Sequence, residues 1–529
     1  MDHECEVLIV GAGPVGLVLA LELQRFGIRF RIIEKKPERS TTSKALGLQP
    51  RVSEVFAILG IKAEFSARGF GDIQAVNFHS GARKLLRIAL RPPVDQAGRD
   101  ACQPQLLIIP QSETEEILER TLATRGNLVE RRSELTGFEQ NHDGVSARIR
   151  SEDGREQMMA AQFLVSCEGA HSVIRKQAGF SFAGTTMPMR FLLADVAIDW
   201  DRPANEVQVW FHPDGVMGAL PFGAQKWRLI IECAPEASAD PKEVTLSLVR
   251  EIVAERVAAH IAIRDPVWLS DFRINARMVD RFRDRRVFIA GDAAHIHSPL
   301  GGQGIATGIQ DASNLAWKLA AVLREGAPDA LLDTYEEERK PVARSVLRGT
   351  SAASNLVFSM NPFLRFVRER VMFPIMNAAF IQRQFFARVS QLKIRYRGSL
   401  AATNGPVAVH VKAGDRAPDV LFSEKGTRVT LLELLGKFGT IALLGPSPNN
   451  QALAESFSAL NIRSFVVGPG QLEDVYSDFA RLYRAQDSFL YLIRPDGHVG
   501  LFQREAEPAS LMAYLKKMRG AEPIEKAFA

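Results

Sequence analysis

Apolar blocks and turn residues alternate over the first 40 positions in the manner of a βαβ unit. Residues 6–10 form a short apolar run, 11–16 a glycine-rich turn, 17–26 a helix and 29–33 a second strand. Short alternating segments predict hairpin strands over 72–90. Gln111 opens an amphipathic run in which 112–123 predict a helix, with Ser112 as N-cap and Glu115 completing a capping box. The period then changes to two. Residues 207–211, 216–222 and 227–232 alternate like strands, with turns at 212–215 and 223–226. They predict an antiparallel sheet inserted between two halves of the first domain. Residues 286–290 read as another buried strand, followed by a loop and a long helix over 304–323. Beyond 405 the pattern predicts strands at 439–444, 463–467, 489–493 and 498–502, with helices at 450–460, 474–484 and 508–518. The expected fold is α/β in three parts. Residues 1–74, 105–180 and 272–400 form a Rossmann-like domain with following helices, 75–104 and 181–271 the inserted β-sheet domain, and 405–529 a further α/β domain.

Composition narrows the class. With 46% apolar and 24% charged residues, the chain has ample core material, which excludes extended disorder, collagen and coiled coil. Sixty-six basic against 61 acidic residues leave +5, too weak a balance to imply a nucleic-acid partner. Four cysteines, Cys5, Cys102, Cys167 and Cys233, are too far apart for a metal knuckle or a C-x-x-C pair and suit a reducing compartment. The longest uncharged run, 7–21, follows an acidic hexapeptide where a signal peptide needs basic residues, and it is too short to span a bilayer. The expectation is a cytoplasmic protein without stable membrane insertion. Residues 361–400 carry eight basic side chains against Glu369 alone, interleaved with phenylalanines at 363, 366, 373, 380, 385 and 386. Phenylalanine at helical spacing is expected in the core and arginine in solvent, and a homodimer contact is the special use expected of this stretch.

Two constellations carry chemistry. In Gly11-Ala-Gly13-Pro-Val-Gly16, the first glycine allows a tight turn, the second admits a pyrophosphate and the third lets helix pack on strand. Unpaired amide groups and the helix dipole favour phosphate there. Glu34, at the end of the second strand, is placed to bind a ribose diol, so the turn fits FAD or NAD better than NADP. The second constellation decides between them. Asp292 follows a buried strand and Pro299-Leu-Gly-Gly-Gln-Gly304 runs into a helix. A carboxylate at a strand end can hold the hydroxyls of a ribityl chain, which NAD lacks, and a helix start can stabilise negative charge on a flavin ring. The reading is FAD. His295 and His297 lack a third ligand at supporting spacing, so they read as structural and no metal is expected.

These motifs resemble those of the FAD-dependent aromatic hydroxylases, the single-component flavoprotein monooxygenases of the para-hydroxybenzoate hydroxylase type. The glycine turn with Glu34 matches the family's first motif, and Pro14 and Lys35 fall within the same cofactor contact. Cys167-Glu-Gly-Ala-His-Ser-Val-Ile-Arg175 matches the middle motif, which brings Glu168 and Gly169 to the cofactor. Gly291-Asp292 with Pro299 to Gly304 matches the third, continued by Gly308-Ile-Gln-Asp311-Ala-Ser-Asn314-Leu-Ala-Trp317-Lys318. Gln111 stands where the family's glutamine contacts FAD, and Gly302, Gly304, Ile305 and Ala306 line its flavin loop. The segment around Tyr335 to Pro341 resembles the family's helix after that loop. The match runs from residue 6 to about 345. The C-terminal segment, especially Tyr491-Leu-Ile-Arg-Pro-Asp-Gly497, resembles the thioredoxin-like domain of phenol and polyketide hydroxylases, yet it holds no cysteine and so no dithiol chemistry.

Three positions depart from the family pattern. Glu168 stands in place of an aspartate, Lys44 where many members have an arginine near the flavin, and Ala306 in place of a common asparagine. The resemblance implies that NAD(P)H binds transiently and reduces FAD, that O2 adds at flavin C4a, and that the hydroperoxide oxygenates a phenolic or polycyclic ring. The flavin ring would swing between NAD(P)H and substrate. Trp210 and Phe222 of the middle sheet are the candidate pocket walls, and the Pro299 carbonyl is the candidate substrate hydrogen-bond acceptor. The same motifs would serve a monooxygenase of ketones or quinone precursors, or a non-catalytic flavoprotein that senses redox state.

Overall fold

Every residue of Cys5–Val10 is buried, as a strand covered on both faces requires, and the run is almost wholly apolar for that reason. The computed structural model describes residues 4–40, 43, 45–70, 73–90, 102, 104–233, 244–257, 261–359, 361–404, 410–446, 453–454, 457–458, 460, 462–484, 488–504 and 508–519. Cys5–Val10 lies parallel between Phe30–Glu34 and Glu156–Ser166, and Val287–Ile289 extends the sheet parallel to the latter. Helices Pro14–Arg25 and Gly304–Arg324 share this sheet's core through Leu17, Leu21, Ile309 and Ala316. They approach closely at Gly308, where a Cβ would sit 2.7 Å from Val15 Cγ2.

A second sheet has eight strands: His295–Ile296, Ala262–Val279, Phe182–Asp199, Lys226–Cys233, Gly215–Pro221, Glu206–His212, Ala75–Ser80 and Arg83–Ala89, in that spatial order. It is mixed rather than antiparallel, because Glu206–His212 runs parallel to Ala75–Ser80. Those strands are joined by a long excursion through the first sheet, and only a short hairpin connection would impose the antiparallel sense. Two strands of 18 residues, Phe182–Asp199 and Ala262–Val279, were not expected at that length. Their pairing shifts register between Thr186 and Arg190, and Pro188, which has no N–H to donate, falls in that interval. Helix Leu246–Val257, also unexpected, packs Val249, Val253 and Val257 at four-residue spacing on one face of the sheet.

The C-terminal part centres on a five-stranded sheet in the order Thr403–Asn404, Val499–Gln503, Leu490–Ile493, Ile441–Leu444, Arg463–Val466. The helix expected over 474–484 is shorter. Leu472–Asp474 pairs as a strand with Leu421–Glu424, and the left-handed Ser477 (φ 56°) delays the helix to Asp478–Tyr483. Most of the helix expected over 450–460 lies outside the described residues. Among the described residues, no helix is long and apolar enough to cross a membrane.

The stretch after the long helix Ala330–Val357 breaks into short pieces, Pro362–Val367, Phe373–Met376 and Ala379–Val389, with a π turn between the first two. Phe373 is buried against Phe211 and Leu86, and Arg368 lies buried with its guanidinium 3.9 Å from the Phe211 ring centroid. Phe363, Phe366, Phe380 and Phe385 are exposed, contrary to the core placement expected of them. Ala379–Val389 meets the second sheet through Phe386 and through Gln382, whose amide accepts from Ala89 N–H at 3.1 Å and donates to the Arg87 carbonyl at 3.0 Å.

Two buried carboxyls should make stability fall with pH. Glu232 accepts from Val216 N–H at 2.9 Å and Asp419 from Leu432 N–H at 3.1 Å. Burial pushes both up to about 7, from ordinary values of 4.5 and 3.8. With folded values above unfolded ones, the native state binds more protons between about pH 4 and 7, so stability is highest at the acid end and is lost as pH rises. The expected loss is on the order of 3–4 kcal/mol for each group across that window. Urea midpoints of Glu232→Gln/Asp419→Asn should gain on the parent between pH 5 and pH 8; parallel profiles would refute this.

Candidate active site

The three motifs meet at one turn, the first and middle ones backbone to backbone. Gly11 has φ +103°, and a Cβ there would lie 2.5 Å from the Cys167 carbonyl oxygen. A Cβ on Gly16 would lie 2.0 Å from the Gly11 carbonyl oxygen and 3.3 Å from Cys167 Cβ. Gly291, at φ +63°, closes on the same turn, since a Cβ on it would meet Val15 Cγ2 at 2.8 Å. Gly13 differs, having no atom within 4 Å of an added Cβ. It is the N-cap of Pro14–Arg25, without a side-chain cap and with proline in the first turn. The open space and uncapped amides together form a cradle for a phosphate.

Glu34 reaches back to this turn. Its Oε2 accepts from Ala12 N–H and its Oε1 from Lys36 N–H, both at 3.0 Å. Lys35 beside it is exposed. Gln111 does not follow a capping box: its helix is Gln111–Thr124, with Pro110 as N-cap and no side-chain cap. Gln111 N–H already bonds Ser43 Oγ (2.6 Å) and the Ala45 carbonyl (3.0 Å), which starts the helix one residue early. Glu115 instead accepts from Gln111 Nε2 at 2.8 Å, while Gln111 Oε1 accepts from Ala45 N–H at 3.2 Å. Lys44 lies outside the described residues.

The Glu168 carboxylate turns inward. Its Oε2 accepts from Ser172 Oγ (2.6 Å), Ser166 Oγ (3.0 Å) and Ile174 N–H (3.1 Å), and its Oε1 from Val173 N–H (3.2 Å). It therefore caps the helix Val173–Gln177, leaving Gly169, with φ +75° and open space at its Cβ position, as the outward feature of the middle motif. Arg175 ties that motif to the third, donating to the carbonyls of Ala293 (3.0 Å) and Ala170 (2.6 Å). Nothing in the sequence reading gave Arg175 a role of its own.

Asp292 is exposed on the turn Gly291–Ala293. The turn is held from inside by Asp311, which accepts from Gly291 N–H at 3.1 Å and pairs with His295 Nε2 at 2.7 Å. Arg339 Nε donates to the other Asp311 oxygen at 2.7 Å. His297 donates Nδ1–H to the Ser298 carbonyl at 3.0 Å, and burial pulls it down to about 4, so it is neutral near pH 7. In the following loop Gly301 and Gly302 take φ +80° and +60°. The Pro299 carbonyl accepts from Gly302 N–H at 2.9 Å and Gln49 Nε2 donates to the Gly301 carbonyl at 2.7 Å. The loop feeds the N-terminus of Gly304–Arg324, where Ile305 is half-buried and Ala306 fully packed.

The two candidate wall residues do not share a face. Trp210 is wholly buried against Trp227 and the helix Leu246–Val257, whereas Phe222 packs on the opposite side with Leu46, Ile73 and Leu220. Side chains alternate along a strand, which places Trp210 in the core and away from any shared pocket.

Residues 4–350 match the family model described as FAD binding domain. A flavin-dependent monooxygenase of Mycobacteroides abscessus is 35% identical over 97% of this chain and 99% of its own. The 12-dehydrotetracycline 5-monooxygenase/anhydrotetracycline 6-monooxygenase of Streptomyces rimosus is 33% identical, covering 93% and 94%. Among solved structures, a ternary complex of aklavinone-11 hydroxylase with FAD and aklavinone is 27% identical with a TM-score of 0.80, covering 98% of this chain and 99% of that one.

Proposed function

Because the chain belongs to the FAD-dependent aromatic hydroxylase family, we propose that it hydroxylates a phenolic or polycyclic aromatic substrate, with NAD(P)H as transient reductant and O2 as oxygen source. The observation that carries this reading is the convergence of Gly11, Cys167 and Gly291 on one turn, where Gly13, alone of Gly11, Gly13 and Gly16, faces open space. Bound FAD supplies the redox chemistry that activates O2. The chain's residues do the rest. Gly13 and the uncapped helix start would receive the pyrophosphate, Glu34 the adenosine ribose, and Asp292 the ribityl hydroxyls. The start of Gly304–Arg324, with the Ile305 and Ala306 amides, would offer its positive dipole end to negative charge developing on the flavin ring.

Phe222 and its apolar neighbours Leu46, Ile73 and Leu220 wall the substrate side and keep water from the reacting atoms. The Pro299 carbonyl closes its own loop, and its second lone pair is the acceptor assigned to a substrate hydroxyl. Residues 75–104 and 181–271 serve as the substrate domain, set between the segments 1–74, 105–180 and 272–400 of the FAD domain, with 405–529 thioredoxin-like. The thiols of Cys5, Cys102, Cys167 and Cys233 are free, which fits a cytoplasmic enzyme.

The test is a screen of phenols and fused-ring aromatics for stimulated NAD(P)H oxidation, with mass analysis of product. The expected result is stimulation with a product heavier by one oxygen atom. A flavin-loaded protein that no aromatic stimulates would favour the redox-sensor reading, and oxygen inserted beside a ketone would favour the second enzyme reading.

A further inference from the structure

We propose that the cysteine-free C-terminal part positions the flavin-binding turn and loop, acting from a single turn, 494–498, along two buried paths. The first path begins with His498, whose ring lies 4.3 Å from that of Tyr396, with the Arg494 guanidinium 5.4 Å from the same Tyr396 ring. Arg339 donates to the Tyr396 hydroxyl at 2.7 Å, to the Thr307 carbonyl at 3.0 Å and to Asp311 at 2.7 Å. Asp311 then holds Gly291 N–H, next to Asp292. The second path leaves from the Asp496 carbonyl, which accepts from Arg51 at 2.6 Å. Arg51 sits in the first turn of Pro50–Ile58, whose N-cap is Gln49, the residue that donates to the Gly301 carbonyl. The turn thus reaches the third motif on both sides of the flavin loop.

The charges along the first path are matched. Arg494 pairs with Glu338 (2.7 Å) and Asp496 (2.6 Å), Lys318 with Glu338 (2.8 Å), and Arg339 with Asp311 (2.7 Å). All of these residues are buried. Glu338 and Arg339 are consecutive on one helix, so the ionic cluster at the C-terminal part and the one at the flavin turn share a rigid element. Plain interdomain packing would need neither this chain of buried polar contacts nor its end on a cofactor-facing amide. Buried polar groups tolerate few alternative geometries, so the turn at 494–498 fixes where Gly291 and Gly301 stand.

The inference rests on the assignment of 291–292 and 299–304 to the flavin, and the test separates the two. FAD affinity of the apoprotein would be read by flavin fluorescence, together with the visible absorption band of the bound flavin, for Tyr396→Phe, Asp311→Asn and their combination. Tyr483→Phe is the control, since it likewise removes one buried tyrosine hydroxyl, here within the C-terminal part, bonded to the Pro418 carbonyl at 2.8 Å and outside both paths. Tyr396→Phe is expected to weaken FAD by about fivefold or more and to shift the band, with Tyr483→Phe within about twofold of the parent. The double variant should bind no more weakly than Asp311→Asn alone, because both changes cut one path. Arg339→Lys replaces Asp311→Asn in the cycle if the latter does not fold. Additive losses, or a Tyr396→Phe protein indistinguishable from the control, would overturn the proposal. A parent that binds no FAD would instead overturn the flavin assignment on which it stands.

Discussion

Gly11→Ala is expected to abolish measurable FAD binding, raising Kd at least about 100-fold, and to lower stability by roughly 3 kcal/mol or more. The cause is local and severe. A methyl group on Gly11 would meet the Cys167 carbonyl oxygen at 2.5 Å and its carbonyl carbon at 2.7 Å, both backbone atoms that cannot rotate aside. The φ of +103° adds the strain of a conformation that L-residues avoid. Relief would require Cys5–Val10 and Glu156–Ser166 to separate at the end where first and middle motifs touch. Gly13→Ala supplies the comparison. No atom lies within 4 Å of its added methyl and its φ is an ordinary −76°, so stability should hold while FAD weakens. Thermal melts and FAD titrations of the two variants should therefore part company. Equal stability loss in both would contradict the assigned roles.

Glu338→Gln is expected to cost about 3–5 kcal/mol and to lower Tm by roughly 10 °C. Glu338 faces two buried cations, Lys318 Nζ at 2.8 Å and Arg494 at 2.7 Å, and also accepts from Asn314 and Ser399 at 2.7 Å each. An amide of the same shape leaves Asp496 as the one carboxylate against both cations. Burial already pulls Lys318 down to about 8 with Glu338 in place, and without that carboxylate it would fall further and shed its proton near neutrality. A lysine whose folded value lies below its unfolded one stabilises the fold as pH rises. The deficit of the variant should accordingly shrink from pH 6 to pH 8, and a constant deficit would argue against a charge effect.

What the sequence discloses depends on how local the physical constraint is. A tight turn between strand and helix tolerates few residues, so the glycines at 11, 13 and 16 mark it without reference to the rest of the chain. Gly291-Asp292 is visible for the same reason. Asp311, Arg339, Tyr396 and Arg494 stand in the 28- to 183-residue range of separation from one another, and no periodicity links groups that meet only after folding. Asp311 and Arg339 fall inside recognisable segments, yet an isolated acid or arginine there looks like any solvated charge. The 18-residue strand Phe182–Asp199 escapes notice because Gly184 and Pro188 imitate punctuation, and Ala262–Val279 because Pro266 does. Helix Leu246–Val257 had a usable signal in its valines every fourth position, masked by the strand pattern on either side. Trp210 shows the reverse failure: alternation identifies the strand, but one strand cannot say which of its faces meets a ligand.

The exposed phenylalanines at 363, 366, 380 and 385, with Val371 and Ile375 between them, give the native protein an adhesive strip. Solvatochromic dyes should light up on the folded molecule, so melting curves read with them would begin bright and lose contrast. Indole emission offers a cleaner probe. Trp210 and Trp227 sit in one cluster beneath Leu246–Val257, with Trp200 packed on both, and report the middle sheet opening rather than the sticky strip.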